Sequence, residues 1–157
     1  RAMSTLQLGA GHRPLDGAVN HDRWQHSPWI DIGHDLDITP WPWDDASFDK
    51  VVALDVMEHL KVDVQVWLDE CWRILKPGGT LVLRLPQYSN PVSYRDPTHR
   101  RVYHHESFHY WDRRTQLWHD YGQFYFGPGY NKWWTVVSVD RNTNGGDLGV
   151  VMTKVDA

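Results

Sequence analysis

A single cysteine, Cys71, among 157 residues excludes an intrachain disulfide framework and suits a reducing compartment. No apolar run approaches the roughly 20 residues that span a bilayer, and no basic-plus-apolar leader is present. A cytoplasmic location without a membrane partner is therefore expected. Positive charge is also in short supply. The net charge is −4 with the histidines neutral, which leaves no global basic field for a phosphate backbone. Only residues 95–101 form a local basic run, so a nucleic-acid partner is disfavoured. Repeats and low-complexity linkers are missing as well, and residues 1–157 read as one domain long enough to bury a core.

What the chain has in excess is tryptophan, ten of them, more than a core of this size needs, so some are expected at a cleft or an interface. Residues 5–8 read as a first strand, 18–22 as a second and 29–32 or slightly beyond as a third. Residues 48–56 are β-branched and nearly continuous, as in a strand buried on both faces. Across residues 62–75 the period changes: Val62, Val66, Trp67, Cys71, Ile74 and Leu75 recur at three- and four-residue steps and predict one apolar helical stripe. Lys76-Pro77-Gly78-Gly79 is expected to end that helix, and residues 80–86 to form the next strand. Residues 87–129 are polar, aromatic and histidine-rich, with a short helix expected at 106–112. Two further strands, 133–140 and 148–155, flank an Asn-Thr-Asn-Gly-Gly run that favours an antiparallel hairpin.

Strands alternating with helices, then a terminal hairpin, predict an α/β fold with a mostly parallel, Rossmann-like open sheet. Only about ten residues separate Gly11 from Asp22, so the first crossover helix must be shortened to a turn or two at most. In such sheets ligands bind beyond the carboxyl ends of the strands, and suggestive residues stand at each end. Gly9-Ala10-Gly11 follows the first strand, where a missing Cβ lets backbone approach a ligand. Asp22, an acceptor suited to a ribose diol, follows the second. Asp35-Leu36, an acceptor beside an apolar surface for a purine, follows the third, and Asp55-Val56-Met57-Glu58-His59 follows the fourth. A dinucleotide fingerprint is excluded because Pro14 stands where its third glycine belongs.

The stretches "LQLGAG", "VNHDRW", "HDLDITPWPWDDASFDKVVALDVMEHL" and "LDECWRILKPGGTLVLRLP" resemble the successive motifs of class I S-adenosylmethionine-dependent methyltransferases, over roughly residues 5–86. Within that family the resemblance is to small predicted methyltransferases with "LNLGCG" and "DPTH" motifs. It implies S-adenosylmethionine as cofactor, with S-adenosylhomocysteine as product. Gly9, Ala10 and Gly11 would pass beneath its methionine part, beside Gln7. Asp22 would take the ribose hydroxyls, Asp35 and Leu36 would face the adenine, and Asp55 and Val56 would border the transferred methyl group. Glu70, Arg73 and the Lys76–Gly79 turn would position the helix and the next strand. The family usually carries an acid where Gln7 stands; a neutral amide cannot pair with the cofactor's ammonium.

Methyl transfer from a sulfonium needs a base only when the acceptor must lose a proton. His59 and His99, the latter in "RDPTHRR", are the candidates, each weighed against a purely structural role in its loop. Residues 87–129 would form an insert on the acceptor side, and a small-molecule or sugar-like acceptor is expected. His105 and His109 share i,i+4 spacing, yet neither a cysteine nor a defined third ligand accompanies them, so no metal site is expected. A second reading keeps the fold as a cofactor-binding module without catalysis inside an assembly, with a homo-oligomer or a partner completing the pocket. Nucleic-acid methylation ranks below both, since no Asn/Asp-Pro-Pro-Tyr/Phe element follows the fourth strand.

Overall fold

The computed structural model describes residues 3–143 and 146–156. Seven strands form one sheet in the order β3-β2-β1-β4-β5-β7-β6. They are β1 (Thr5–Leu8), β2 (Val19–Asp22), β3 (Ile32–Gly33), β4 (Phe48–Leu54), β5 (Leu75–Pro86), β6 (Trp134–Thr143) and β7 (Asp147–Lys154). β1 to β5 pair in parallel, while β7 runs against both β5 and β6. The expected mostly parallel sheet with an antiparallel C-terminal hairpin is thus observed. Asn144 and Gly145 of the Asn-Thr-Asn-Gly-Gly run lie outside the described residues.

Alternation sorts the sheet into faces. Leu6 and Leu8 of β1, Val51 and Ala53 of β4, Leu81, Leu83 and Leu85 of β5, and Leu148, Val150 and Met152 of β7 are all buried in one core. α1 (Val64–Ile74) contributes Trp67, Leu68, Cys71 and Ile74 to it. The expected stripe therefore needs one correction: Val66 is exposed and Leu68 takes its place inside. The helix also stops earlier than expected. Leu75 is already extended and begins β5 opposite Phe48, so the strand runs through Lys76-Pro77-Gly78-Gly79, with Gly78 at a φ of 72°.

Helix is distributed unevenly. Among the described residues, none of the three connections that lead from β1 to β4 contains any; each is built of turns and bends. The first helix is therefore not merely shortened but replaced by turns around Gly11 and Gly17. The third strand starts later than expected: β3 is Ile32–Gly33, and Trp29 belongs to the preceding turn, where its indole N–H donates to the Gly11 carbonyl at 2.9 Å. The helix expected at 106–112 is a 3-10 segment, Ser107–Trp111. His105 lies before it, so His105 and His109 do not share an α-helical face.

Side chains supply the order that helices would otherwise give. Glu70 on α1 accepts the backbone N–H of Trp41 at 2.6 Å and pairs with Arg73 at 2.6 Å. Arg73 in turn donates to the carbonyls of Trp43 and Trp41 and to Asp45. These residues hold the loop that feeds β4, a broader task than positioning their own helix. Lys76 reaches Asp49 and Ser4, tying the start of β5 to β4 and the front of β1. No helix of the described residues is long and apolar enough to cross a membrane.

Candidate functional site

The carboxyl ends of β1, β2, β3 and β4 surround a cavity of about 260 Å³. Gly9, Asp22, Asp35, Leu36, Asp55 and Val56 line it together, from four separate connections. A second depression of about 390 Å³ lies across Gly9 and Asp55 and takes in Gln7, Ala10 and Arg84. Eight of the nine cofactor positions expected from the sequence therefore fall on two adjoining hollows that share Gly9 and Asp55; Gly11 lines neither.

Left-handed backbone shapes the turn. Gly9 has φ 63° and Gly11 φ 55°, a region that glycine enters without steric cost. The two glycines serve different ends. A Cβ on Gly9 would come within 2.4 Å of Val56 Cγ2, whereas one on Gly11 would meet nothing within 4 Å. Gly9 thus allows close packing of β1 against the segment after β4, and Gly11 leaves open space above the turn.

Asp22 fastens that turn from below. Its Oδ2 accepts the Gly11 N–H at 2.9 Å and faces His26 Nε2 at 3.1 Å, and Oδ1 accepts the Arg23 N–H at 2.7 Å. Burial pushes its carboxyl up, but hydrogen bonds from His26, Arg23 and Gly11 outweigh that and hold it below the usual aspartate value. Asp35 accepts the Asp37 N–H at 3.0 Å and pairs with Arg23 at 3.2 Å. Leu36 is buried beside it, its carbonyl taken by the Trp41 indole. Gln7 is buried and its Oε1 accepts the Leu15 N–H at 3.0 Å, which pins the short connection to β1. Asp55, at φ 59°, pairs with Arg84 of β5 at 2.6 Å.

Three contributors were not foreseen in the sequence. His21, 1% exposed, connects the glycine turn to the end of β3. Arg23 and Arg84 each neutralise an aspartate of the site. The only signal for His21 was its place beside Asp22, and strand alternation alone would have buried it without a role.

Of the two histidines named as candidate bases, His59 lines the cavity, in a single 3-10 turn, Met57–His59, after β4. His99 stands behind it, with ring centroids 4.7 Å apart. Burial, then the neighbouring His99, lowers the His59 pKa below 6.5. Glu58 is 1% exposed, and burial pushes its carboxyl up to about 8. Asp96 Oδ1 accepts both the N–H and the hydroxyl of Thr98, so the loop carrying His99 is ordered by local hydrogen bonds.

A family profile described as a methyltransferase domain matches residues 19–83, the stretch that carries Asp22, Asp35, Leu36, Asp55 and Val56. That stretch of the chain is similar to a methyltransferase domain. The chain is also 38% identical over 71 residues to a Mycolicibacterium smegmatis protein named as a probable S-adenosylmethionine-dependent methyltransferase. That match covers 45% of this chain and 26% of the relative, so the chain spans about a quarter of the curated protein it matches. Among solved structures, it resembles a chain of the Haloferax volcanii complex between the Trm112 methyltransferase activator and a methyltransferase. The TM-score is 0.64 at 15% identity, covering 98% of this chain and 83% of that one. The cyclase SpnF superposes equally well, with TM-score 0.64 at 13% identity, covering 99% of this chain and 75% of that one. Such likenesses show the methyltransferase fold alone.

The Mycolicibacterium smegmatis relative is named for S-adenosylmethionine, and the residues of the cavity here have the chemistry to hold such a molecule. Open space above Gly11, two carboxylates at successive strand ends and an apolar wall at Leu36 match a ligand with an amino-acid end, a diol and a purine.

Proposed function

We propose that this chain transfers a methyl group from S-adenosylmethionine to a small-molecule acceptor. The observation that carries the reading is the convergence of Gly9, Asp22, Asp35, Leu36, Asp55 and Val56 on one cavity, in the order in which the chain meets the strand ends. The cofactor supplies an activated methyl group on a sulfonium, so the protein's work is to bind, orient and exclude water. Asp22 accepts the ribose hydroxyls, while its bonds to Gly11 and Arg23 fix the carboxylate in place. Asp35 and Leu36 flank the purine. Gln7, Gly9, Ala10 and Gly11 carry the amino-acid end, with Gln7 acting through its grip on Leu15. Asp55 and Val56 border the methyl group, and Arg84 keeps Asp55 oriented.

His59 and, behind it, His99 belong to the acceptor side. Residues 87–129 form an insert over it, with the ring of Tyr103 stacked on Phe108 in its core. A partner that completes the pocket is a second element of this reading. Trp24 is 67% exposed, and Leu15 and Trp29 are open beside the helix-free connections. The Haloferax volcanii structure that this fold resembles was itself solved with an activator.

Calorimetric titration of the chain with S-adenosylmethionine and S-adenosylhomocysteine tests the proposal. One molecule of each is expected to bind, and radiolabelled methyl is expected to move to an acceptor from a panel of small hydroxyl and amine compounds. Binding of neither cofactor form would sink the reading.

A further inference from the structure

The 3-10 turn after β4 and the loop after β5 bring together three groups that the cofactor does not use. Glu58, His59 and His99 each offer a ligand atom, and these atoms lie within 4.8 Å of one another. Glu58 is 1% exposed, and its Oε2 has no hydrogen-bond partner among the described residues. A buried carboxyl oxygen left unpaired is costly as a bare anion, and either a proton or a cation compensates it.

The imidazoles are oriented toward that same space. His99 Nδ1 lies 3.3 Å from the Ser93 carbonyl, an oxygen that can only accept, so this nitrogen carries a hydrogen and, in the neutral ring, Nε2 keeps its lone pair. Thr98 commits its hydroxyl hydrogen to Asp96 at 2.7 Å. Its oxygen therefore receives the Nδ1–H of His59 at 2.8 Å, and Nε2 of His59 keeps its lone pair as well. Each free lone pair faces a carboxylate: His59 Nε2 is 3.8 Å from Glu58 Oε1, and His99 Nε2 is 3.5 Å from Asp96 Oδ2. Acceptors turned toward acceptors, with the far ring nitrogen held by an oxygen, is how metal-ligating histidines are arranged.

We infer that Glu58, His59 and His99 bind one divalent first-row cation, of the Zn²⁺ or Mn²⁺ type, at the mouth of the cofactor cavity. Two imidazoles and one carboxylate suit such ions and leave a coordination position open. In a tetrahedral shell with bonds of about 2.1 Å, neighbouring ligand atoms stand about 3.4 Å apart, so the widest separation here would close by up to about 1.4 Å. Because His59 also lines the cavity, the open position faces the acceptor, and an acceptor oxygen is the donor that completes the shell. That last point rests on the methyl-transfer reading; binding of the cation does not. His104, His105 and Glu106 form another group of possible ligands, but Glu106 is exposed and no buried carboxylate joins them.

The test is calorimetry on the chelator-stripped chain, titrated separately with zinc chloride and manganese chloride. One equivalent of at least one metal is expected to bind. Glu58→Gln and His99→Ala should each weaken it at least tenfold, while the paired change His104→Ala with His105→Ala leaves it unaltered. Circular dichroism and melting establish that each variant folds. If Glu58→Gln does not fold, His59→Ala, on the half-exposed rim, takes its place. The inference is overturned if neither metal binds in one-to-one ratio, if the variant at Glu58 or His59 binds as the parent does, or if only the His104/His105 variant loses the ion. A parallel titration with S-adenosylmethionine separates the two ideas. Metal binding without cofactor binding removes the methyl-transfer reading alone, and the converse removes the metal site alone.

Discussion

The Gly9 N–H donates to Nδ1 of His21 at 3.3 Å, and the opposite ring nitrogen of His21 donates to the His34 carbonyl at 2.8 Å. A neutral imidazole with its hydrogen on Nε2 is the one form that makes both bonds. The glycine turn after β1 and the end of β3 are thereby held by one buried ring. Burial is the main reason that the pKa of His21 lies below 6.5, ahead of the opposing hydrogen bond to His34.

A pH dependence follows. The folded pKa is depressed, so the unfolded chain binds more protons in the window between that value and 6.5. The contribution of His21 to stability is complete above 6.5 and is lost as the pH falls toward the folded value. Melting temperatures measured from about pH 8 down to about pH 5 should drop through this range. In His21→Phe, which cannot titrate, that part of the drop should be missing, and cofactor affinity should be weaker at every pH.

Asp22→Asn should weaken S-adenosylmethionine binding about tenfold to a hundredfold. A charged acceptor is worth roughly 1.5–3 kcal/mol more than none, and the amide also disturbs the bonds to Gly11, Arg23 and His26. Calorimetry reads this directly. Affinity equal to that of the parent would remove Asp22 from the ribose site.

Gly9→Ala confronts Val56 rather than the ligand. The new methyl would sit 2.4 Å from Val56 Cγ2 on backbone at φ 63°, a combination expected to cost about 1–3 kcal/mol. Urea denaturation should show that loss. Gly11→Ala meets no atom within 4 Å, so it should lose stability only through its backbone, while losing cofactor affinity at least as strongly.

Arg73→Met removes the clamp on the loop before β4 and leaves Glu70, 8% exposed, without its cation. Breaking such a partly buried pair should cost about 2–4 kcal/mol, seen as a lower urea midpoint. The parallel sheet is retained, because the clamp lies outside its ladders.

The rear of the molecule was legible in the sequence because its elements are periodic. Trp67, Cys71 and Ile74 repeat at helical spacing, and Leu81, Leu83 and Leu85 alternate as a half-buried strand does. The order of the site residues was legible too, since the ends of parallel strands determine which residues converge. The front was less so. Trp29 carries the mark of a strand residue but is drawn into a turn by its bond to the Gly11 carbonyl, a contact 18 positions away that no local pattern encodes. His21 fell inside the expected second strand, and Glu58 was only one member of the run after the fourth. Their importance comes from polar partners that only the tertiary structure brings within reach.

The absence of helix from all three connections between β1 and β4 has an energetic consequence. Ladders of intrahelical hydrogen bonds open cooperatively, whereas the loops here are closed by separate bonds from Gln7, Asn20, Asp22, His21 and Trp29. Each can open almost alone, so the front of the sheet should form a low-stability unit beside a rear that opens only with global unfolding. A ligand spanning Gly11, Asp22 and Asp35 would tie these independent closures into one. Its clearest signature would then be slowed amide exchange across residues 9–37, with the amides of α1 and β5 unchanged.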